Sequence, residues 1–233
     1  MSTTVQQTEA CSLLDNPIWH ALNSRQRELG RGRGFAAGYV TDVSRFVAVA
    51  QPSPEAFVDL AALVQPGETV ALAMAAPFDL PEGWKLVRSR PLDQMVWDHP
   101  EGSTGALDLR LKTEDVPEML SLAQATDPGP FSEGTIRTGR YYGVRSKNGR
   151  LIAMAGERMR LDGFTEISAV CTDPAFRGHG YARALVTGLA VQALAEGSTP
   201  FLHVKTEIGA KGLYDALGFR LRRGIQLTVL TRV

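Results

Sequence analysis

The chain has 233 residues, 44% of them hydrophobic and 21% charged, with 25 basic residues balancing 25 acidic ones. That balance excludes a global field favouring nucleic acid or an anionic membrane surface, and the composition is that of an ordinary globular protein. Two cysteines, Cys11 and Cys171, are too few for a disulfide framework and match no metal-ligand spacing, so no metal is expected. No apolar run approaches the ~20 residues of a membrane span. The polar N-terminus lacks the basic start and apolar core of a signal peptide, so a cytoplasmic location is expected.

In chain order, Ile18 to Gln26 reads as a short helix. Gly30 to Gly34 (G-R-G-R-G) lacks the preceding strand and following helix of a phosphate loop and reads as a flexible connection. Arg45 to Ala50 reads as a strand. Ser53-Pro54-Glu55 is a helix start, with serine as cap and proline in the first turn, and the helix runs through Phe57, Leu60, Ala61 and Val64. Thr69 to Ala75 and Trp84 to Val87 read as strands. No chemistry is visible in this half.

His99 to Gly105 has loop composition, which sets the expected division into residues 1–103, an N-terminal α/β subdomain, and residues 104–233. Beyond it, Leu107, Leu109 and Leu111 alternate with polar residues as a strand. Thr113-Glu114-Asp115 opens a helix that Thr126 to Pro130 breaks. Tyr141 to Val144 and Leu151 to Met159 form a hairpin about Asn148-Gly149, and a second turn at Leu161-Asp162-Gly163 leads to a strand from Thr165 to Thr172. A long helix, the strand Phe201 to Lys205, a short helix and two final strands complete the chain. The C-terminal arginines Arg220, Arg222, Arg223 and Arg232 read as a solvated sheet edge. Such edge strands could pair between subunits, so monomer and homodimer both stay open.

The segment V-C-T-D-P-A-F-R-G-H-G-Y-A, Val170 to Ala182, is the most informative. Pro174 ends the strand, and Gly178 and Gly180 let the backbone curl and a ligand come close. Behind them Ala182, Leu185, Val186, Leu189, Ala190, Ala193 and Leu194 make one apolar helical stripe. The first turn, Gly178 to Arg183, therefore offers free N–H donors to an anion such as phosphate.

Arg177, Gly180 and Ala182 fit an Arg/Gln-x-x-Gly-x-Gly/Ala signature, and A-x-x-L-Y-x-x-L-G-F, Ala210 to Phe219, follows at a suitable distance. With both motifs, residues from about Leu107 to Val233 resemble the GCN5-related N-acetyltransferase (GNAT) family, with E-I-S-A-V-C-T-D-P closest to its FR47-like branch. The resemblance implies an α/β (α+β) fold: a mixed, mostly antiparallel sheet flanked by helices, with the N-terminal half open to reading as a degenerate copy. It implies acetyl-CoA as co-substrate and an amine of a small molecule, peptide or protein as acceptor. Val170, Cys171 and Thr172 would meet the acetyl and pantetheine groups. Arg177, Gly178, His179, Gly180, Tyr181, Ala182 and Arg183 would surround the diphosphate, and Tyr214 would protonate the departing thiolate. Glu207 stands where the family often has Asn.

An amine with an ordinary pKa near ~10.4 needs a base or desolvation before it can attack. Alternation places Glu166, Ser168, Val170 and Thr172 on one face and Ile167, Ala169 and Cys171 on the other. Glu166 is the candidate base, and Cys171, without a partner that would ionise it, is a small packed residue. His203 is expected to be a satisfied core histidine. Thr126 to Gly139 should shape acceptor specificity, with Pro128 to Thr135 as a mobile lip and Glu133 able to meet a cation. The alternative is a non-catalytic acyl-CoA-binding or regulatory module.

Overall fold

The computed structural model describes residues 12–98, 107–206 and 211–233. The expected boundary at 99–105, and Glu207 and Ala210, lie outside them. Helix α1 is Pro17–Leu22. Gly30–Arg33 (β1), Ala36–Tyr39 (β2) and Val47–Val49 (β3) form a small antiparallel sheet in that order. G-R-G-R-G is thus an edge strand rather than a flexible connection. A Cβ on Gly30 would come within 2.5 Å of Leu22, so the close approach of α1 accounts for this glycine. Gly34 turns the hairpin at φ 51°.

Helix α2, Pro54–Leu63, starts as its sequence dictates, with the Ser53 hydroxyl accepting from the Ala56 amide at 3.3 Å. The main sheet contains Thr69–Met74 (β4), Trp84–Trp97 (β5), Leu109–Leu111 (β6), Tyr141–Arg145 (β7), Leu151–Leu161 (β8), Phe164–Thr172 (β9), Thr199–Lys205 (β10) and Phe219–Arg232 (β11). Their order is β4-β11-β5-β10-β9-β8-β7-β6, and only β9 and β10 run parallel among the named pairs. This is the mostly antiparallel α/β sheet expected.

The division at 103/104 does not coincide with a break in this sheet, because β5 lies between β10 and β11. β5 is also longer than the sequence suggests. Pro91 lies just beyond Leu92, the last residue of β5 paired with β10, so its missing N–H falls where the strand has one partner only. The two final strands are one, β11, which absorbs irregularities between Leu221 and Arg223 and between Val229 and Leu230.

Helix α3, Val116–Thr126, ends at Asp127 in the left-handed conformation. It buries Met119, Leu122 and Ala123 beside Ala169 and Cys171. Helix α4, Tyr181–Ala195, packs Leu185, Val186, Leu189, Ala190 and Ala193 with Ile167, Leu202 and Phe219 in a separate cluster. α5, Lys211–Ala216, is the short helix before β11. No helix among the described residues is long and apolar enough to cross a membrane.

Space is tight where β8 passes β7. A Cβ on Gly156 would sit 2.2 Å from the Tyr141 ring, itself fully buried. Gly156→Ala is expected to cost about 1–3 kcal/mol through forced repacking. Urea unfolding measures it, and an unchanged midpoint would contradict this packing.

Candidate functional site

The parallel pair β9/β10 is joined only at Phe164 to Glu166 and Thr199 to Phe201. Beyond that point β9 follows β8 as far as Thr172, while β10 follows β5 as far as Lys205. The strands separate and leave a wedge. Ala169, at φ 52°, marks a bulge in β9, with Ser168 opposite Gly156 and Cys171 opposite Met154.

The bulge corrects the expected alternation. Ile167 and Val170 pack with the α4 cluster, whereas Ala169 and Cys171 pack beside α3. One extra residue reverses the faces beyond it, so Glu166 and Val170 are not on one side.

A cavity of about 500 Å³ fills the wedge. At one end Val170, Cys171, Thr172, Arg177, Ala182, Leu213 and Tyr214 line it, joining five of the expected cofactor residues to the expected acid. At the other end it meets Phe46, Arg90, Leu92, Arg158, His203 and Leu227, with Thr126 to Pro130 along the rim. Gly178 and Gly180 both have φ 80°, and a Cβ on either would meet nothing within 4 Å, so backbone conformation rather than crowding calls for glycine. Gly180 caps α4 with no side-chain hydrogen bond, leaving the first-turn amides of Tyr181 to Arg183 without helical acceptors. His179 stacks on Tyr181, ring centroids 5.8 Å apart, and both line a neighbouring depression with Arg145, Lys147 and Arg150 rather than the wedge.

Tyr214 packs edge-on against Phe219 with centroids 6.0 Å apart. Burial, with a smaller contribution from the nearby Cys171, pushes its phenol up to about 12. Burial likewise raises the Cys171 thiol to about 11, partly offset by hydrogen bonds from Thr126 and Met154. Cys171 is a neutral packed thiol, as expected.

Glu166 is fully buried and takes Arg158 Nε at 2.8 Å and Nη2 at 2.6 Å. His203 Nδ1 lies 2.8 Å from the same carboxylate. Burial alone would raise the Glu166 carboxyl, but the Arg158 charge and the hydrogen bonds from Arg158 and His203 outweigh it and hold it at about 2. A carboxylate held this low, with its oxygens engaged by Arg158 and His203, is poorly placed to collect a proton, which argues against the base role expected for Glu166. Instead it anchors a polar chain. His203 Nε2 lies 3.0 Å from Gln94 Nε2, while Gln94 Oε1 accepts from Arg222 Nη1 at 2.8 Å and Arg222 Nη2 reaches Asp15 at 2.7 Å. With the Gln94 oxygen committed to Arg222, its amide N–H faces the ring, so His203 accepts at Nε2 and donates from Nδ1 to Glu166. Arg222 is a part-buried tether rather than a freely solvated edge residue.

Arg158 also lies over the Phe46 ring at 5.0 Å. Lys205 pairs with Asp127 at 2.9 Å. Arg90 differs: its Nε is buried with no hydrogen-bond partner. Leaving a buried polar group unmatched costs on the order of 1–3 kcal/mol. Of the expected lip, Gly134 and Thr135 bond to the Asp42 and Val43 carbonyls at 2.9 and 2.8 Å, so this part is pinned, and the exposed Glu133 does not line the cavity. Sequence reading missed this part of the cavity wall, because Phe46, Arg90 and Leu92 fall in the half that showed no chemistry.

A splayed parallel pair beside a glycine-turned helix N-terminus, in a mostly antiparallel sheet, is the arrangement that the resemblance to acetyltransferases implied. The family model described as FR47-like protein matches residues 141–227. A crystal structure of a putative acetyltransferase from the GNAT family of Novosphingobium aromaticivorans superposes with a TM-score of 0.87 at 39% identity, covering 94% of this chain and 98% of that one. The [ribosomal protein bS18]-alanine N-acetyltransferase of Haemophilus ducreyi is 33% identical over 112 residues, 46% of this chain and 77% of that protein. A GCN5-related N-acetyltransferase from Kribbella flavida shares the fold, with a TM-score of 0.57 at 20% identity over 92% of this chain and 91% of that one. The chain belongs to the GCN5-related N-acetyltransferase family.

Proposed function

We propose that the protein transfers the acetyl group of acetyl-CoA to a primary amine held in the same cleft, by direct attack and without a covalent enzyme intermediate. One observation carries this reading: a single cavity connects the strand-and-turn end beside α4 to a separate acceptor wall. The amides from Gly178 to Arg183 hold the diphosphate, and the two positive-φ glycines fit that role because they keep the turn open. Ala169 and Val170 have no registered partner on β8 or β10, so their amides are available to the thioester oxygen. Acetyl-CoA, when bound, supplies an activated carbonyl.

Of the cations in the lining, Arg158 and Lys205 are paired with Glu166 and Asp127, while Arg90 and Arg177 have no paired carboxylate among the described residues, and their charge disfavours an ammonium placed beside them. The cleft itself thereby promotes the neutral, attacking amine without Glu166 as base. As the C–N bond forms and the C–S bond breaks, the nitrogen releases a proton to water in the open cleft and Tyr214 supplies one to the sulfur, its phenol then regaining a proton from solvent. The Haemophilus ducreyi relative is named for the nitrogen of an alanine of ribosomal protein bS18, which supports a peptide or protein nitrogen as one class of acceptor.

Calorimetric titration with acetyl-CoA, followed by thiol release with pooled amines, tests the reading. Gly180→Ala forces a Cβ into the left-handed region at roughly 1–2 kcal/mol. It is expected to weaken acetyl-CoA binding about 10-fold while the unfolding temperature moves by a few degrees. Folded wild-type protein that gives no heat with acetyl-CoA would sink the proposal.

A further inference from the structure

The geometry points to an acceptor that carries a carboxylate beside its amine and an apolar side chain, an α-amino acid, with Arg90 binding the carboxylate. This rests on the acetyl-transfer reading above. Each of the other cations of the cavity has a partner. Arg158 is held by Glu166 at 2.6 and 2.8 Å, Lys205 by Asp127 at 2.9 Å, and Arg177 Nε lies 3.4 Å from the Thr172 carbonyl at the cofactor end. Arg90 alone among the four keeps a buried N–H unmatched.

A guanidinium stays charged throughout the working pH range, and its planar fork matches a carboxylate through two parallel hydrogen bonds. Nε has no surface open to the cavity, so an α-carboxylate there would take its two parallel hydrogen bonds from the two Nη groups at the guanidinium tip. The surroundings select the rest of the molecule. On β5 and β11, Arg90 is registered opposite Leu227, and Leu92 follows two residues later on the same face. Leu92, Leu227 and Phe46 line the cavity beside Arg90, so an apolar surface adjoins the cation. The volume of about 500 Å³ must also admit the acyl end of the cofactor, which leaves room for a small amine. The transfer then yields an N-acetyl amino acid and free coenzyme A: the amine loses a proton as the amide bond forms, and the thiolate gains one as it leaves.

The test compares the twenty protein amino acids with their methyl esters in two assays on the full chain: thiol release with acetyl-CoA, and equilibrium binding in the presence of coenzyme A. Apolar amino acids are expected to bind and react at least 30-fold better than their esters. Arg90→Ala should abolish that preference while acetyl-CoA affinity stays within threefold, and Arg90→Lys should recover part of it. Esters matching their acids, or a preference that survives Arg90→Ala, would overturn the assignment. The two readings separate cleanly. Arg90-dependent acid binding without thiol release keeps the carboxylate site and removes acetyl transfer. Thiol release with amines or peptides that ignores both the carboxylate and Arg90 keeps acetyl transfer and removes the site. Acids that neither bind nor react remove the site as well.

Discussion

Tyr214→Phe is expected to lower kcat roughly 100-fold, in the range of general-acid contributions, with acetyl-CoA affinity unchanged within threefold. The phenol lines the cavity beside Val170 and Cys171, and burial raises it to about 12, so it holds its proton at every pH where the enzyme would be assayed. A group with a raised pKa remains a donor below that value. No alkaline loss of rate attributable to this residue should therefore appear below about pH 11. Steady-state rates across pH 6 to about 10, alongside calorimetric binding, check both parts. A variant with wild-type kcat would show that the hydroxyl only packs, as a buried tyrosine can.

Glu166→Gln is expected to destabilise the fold by about 3–5 kcal/mol, because it leaves the Arg158 guanidinium buried without its counter-charge. For a chain of this size that corresponds to a drop of roughly 10 °C in the unfolding temperature. The pH dependence follows from the same pair. The folded carboxyl is lowered from 4.5 to about 2, so its stabilisation is complete above about pH 4.5 and disappears as pH falls through about 2. Calorimetric unfolding of both proteins between pH 2 and about 7 should show the gap closing at the acid end. A Glu166 that served as the proton acceptor would give the reverse pattern, an intact unfolding temperature with the rate lost.

The glycine turn and helix start at one side of the cleft were legible because their determinants are local. Pro174, Gly178, Gly180 and the stripe behind them are contiguous, and each acts on backbone conformation within its own stretch. The rest of the cavity wall was not legible, because Phe46, Arg90 and Leu227 meet only through pairing of strands far apart in the chain. Pro91 concealed the length of β5, since a proline within an apolar run argues against a central strand unless one side is known to be open. The partner of Glu166 was hidden for a related reason: Arg158 lies across the β8–β9 hairpin, where register shifts make simple alternation unreliable. Ala169 gave no warning of its positive φ, because the residue type that most often signals such a bulge is glycine.

Threading β5 between β10 and β11 sets the two sides of the cleft far apart along the gene. Codons 177–183 specify the glycine turn, while codons 46, 90, 92 and 227 shape another part of the wall. Substitutions in that wall can thus accumulate without disturbing the turn, and a lineage built on this scaffold can reshape one side of its cleft while keeping the other.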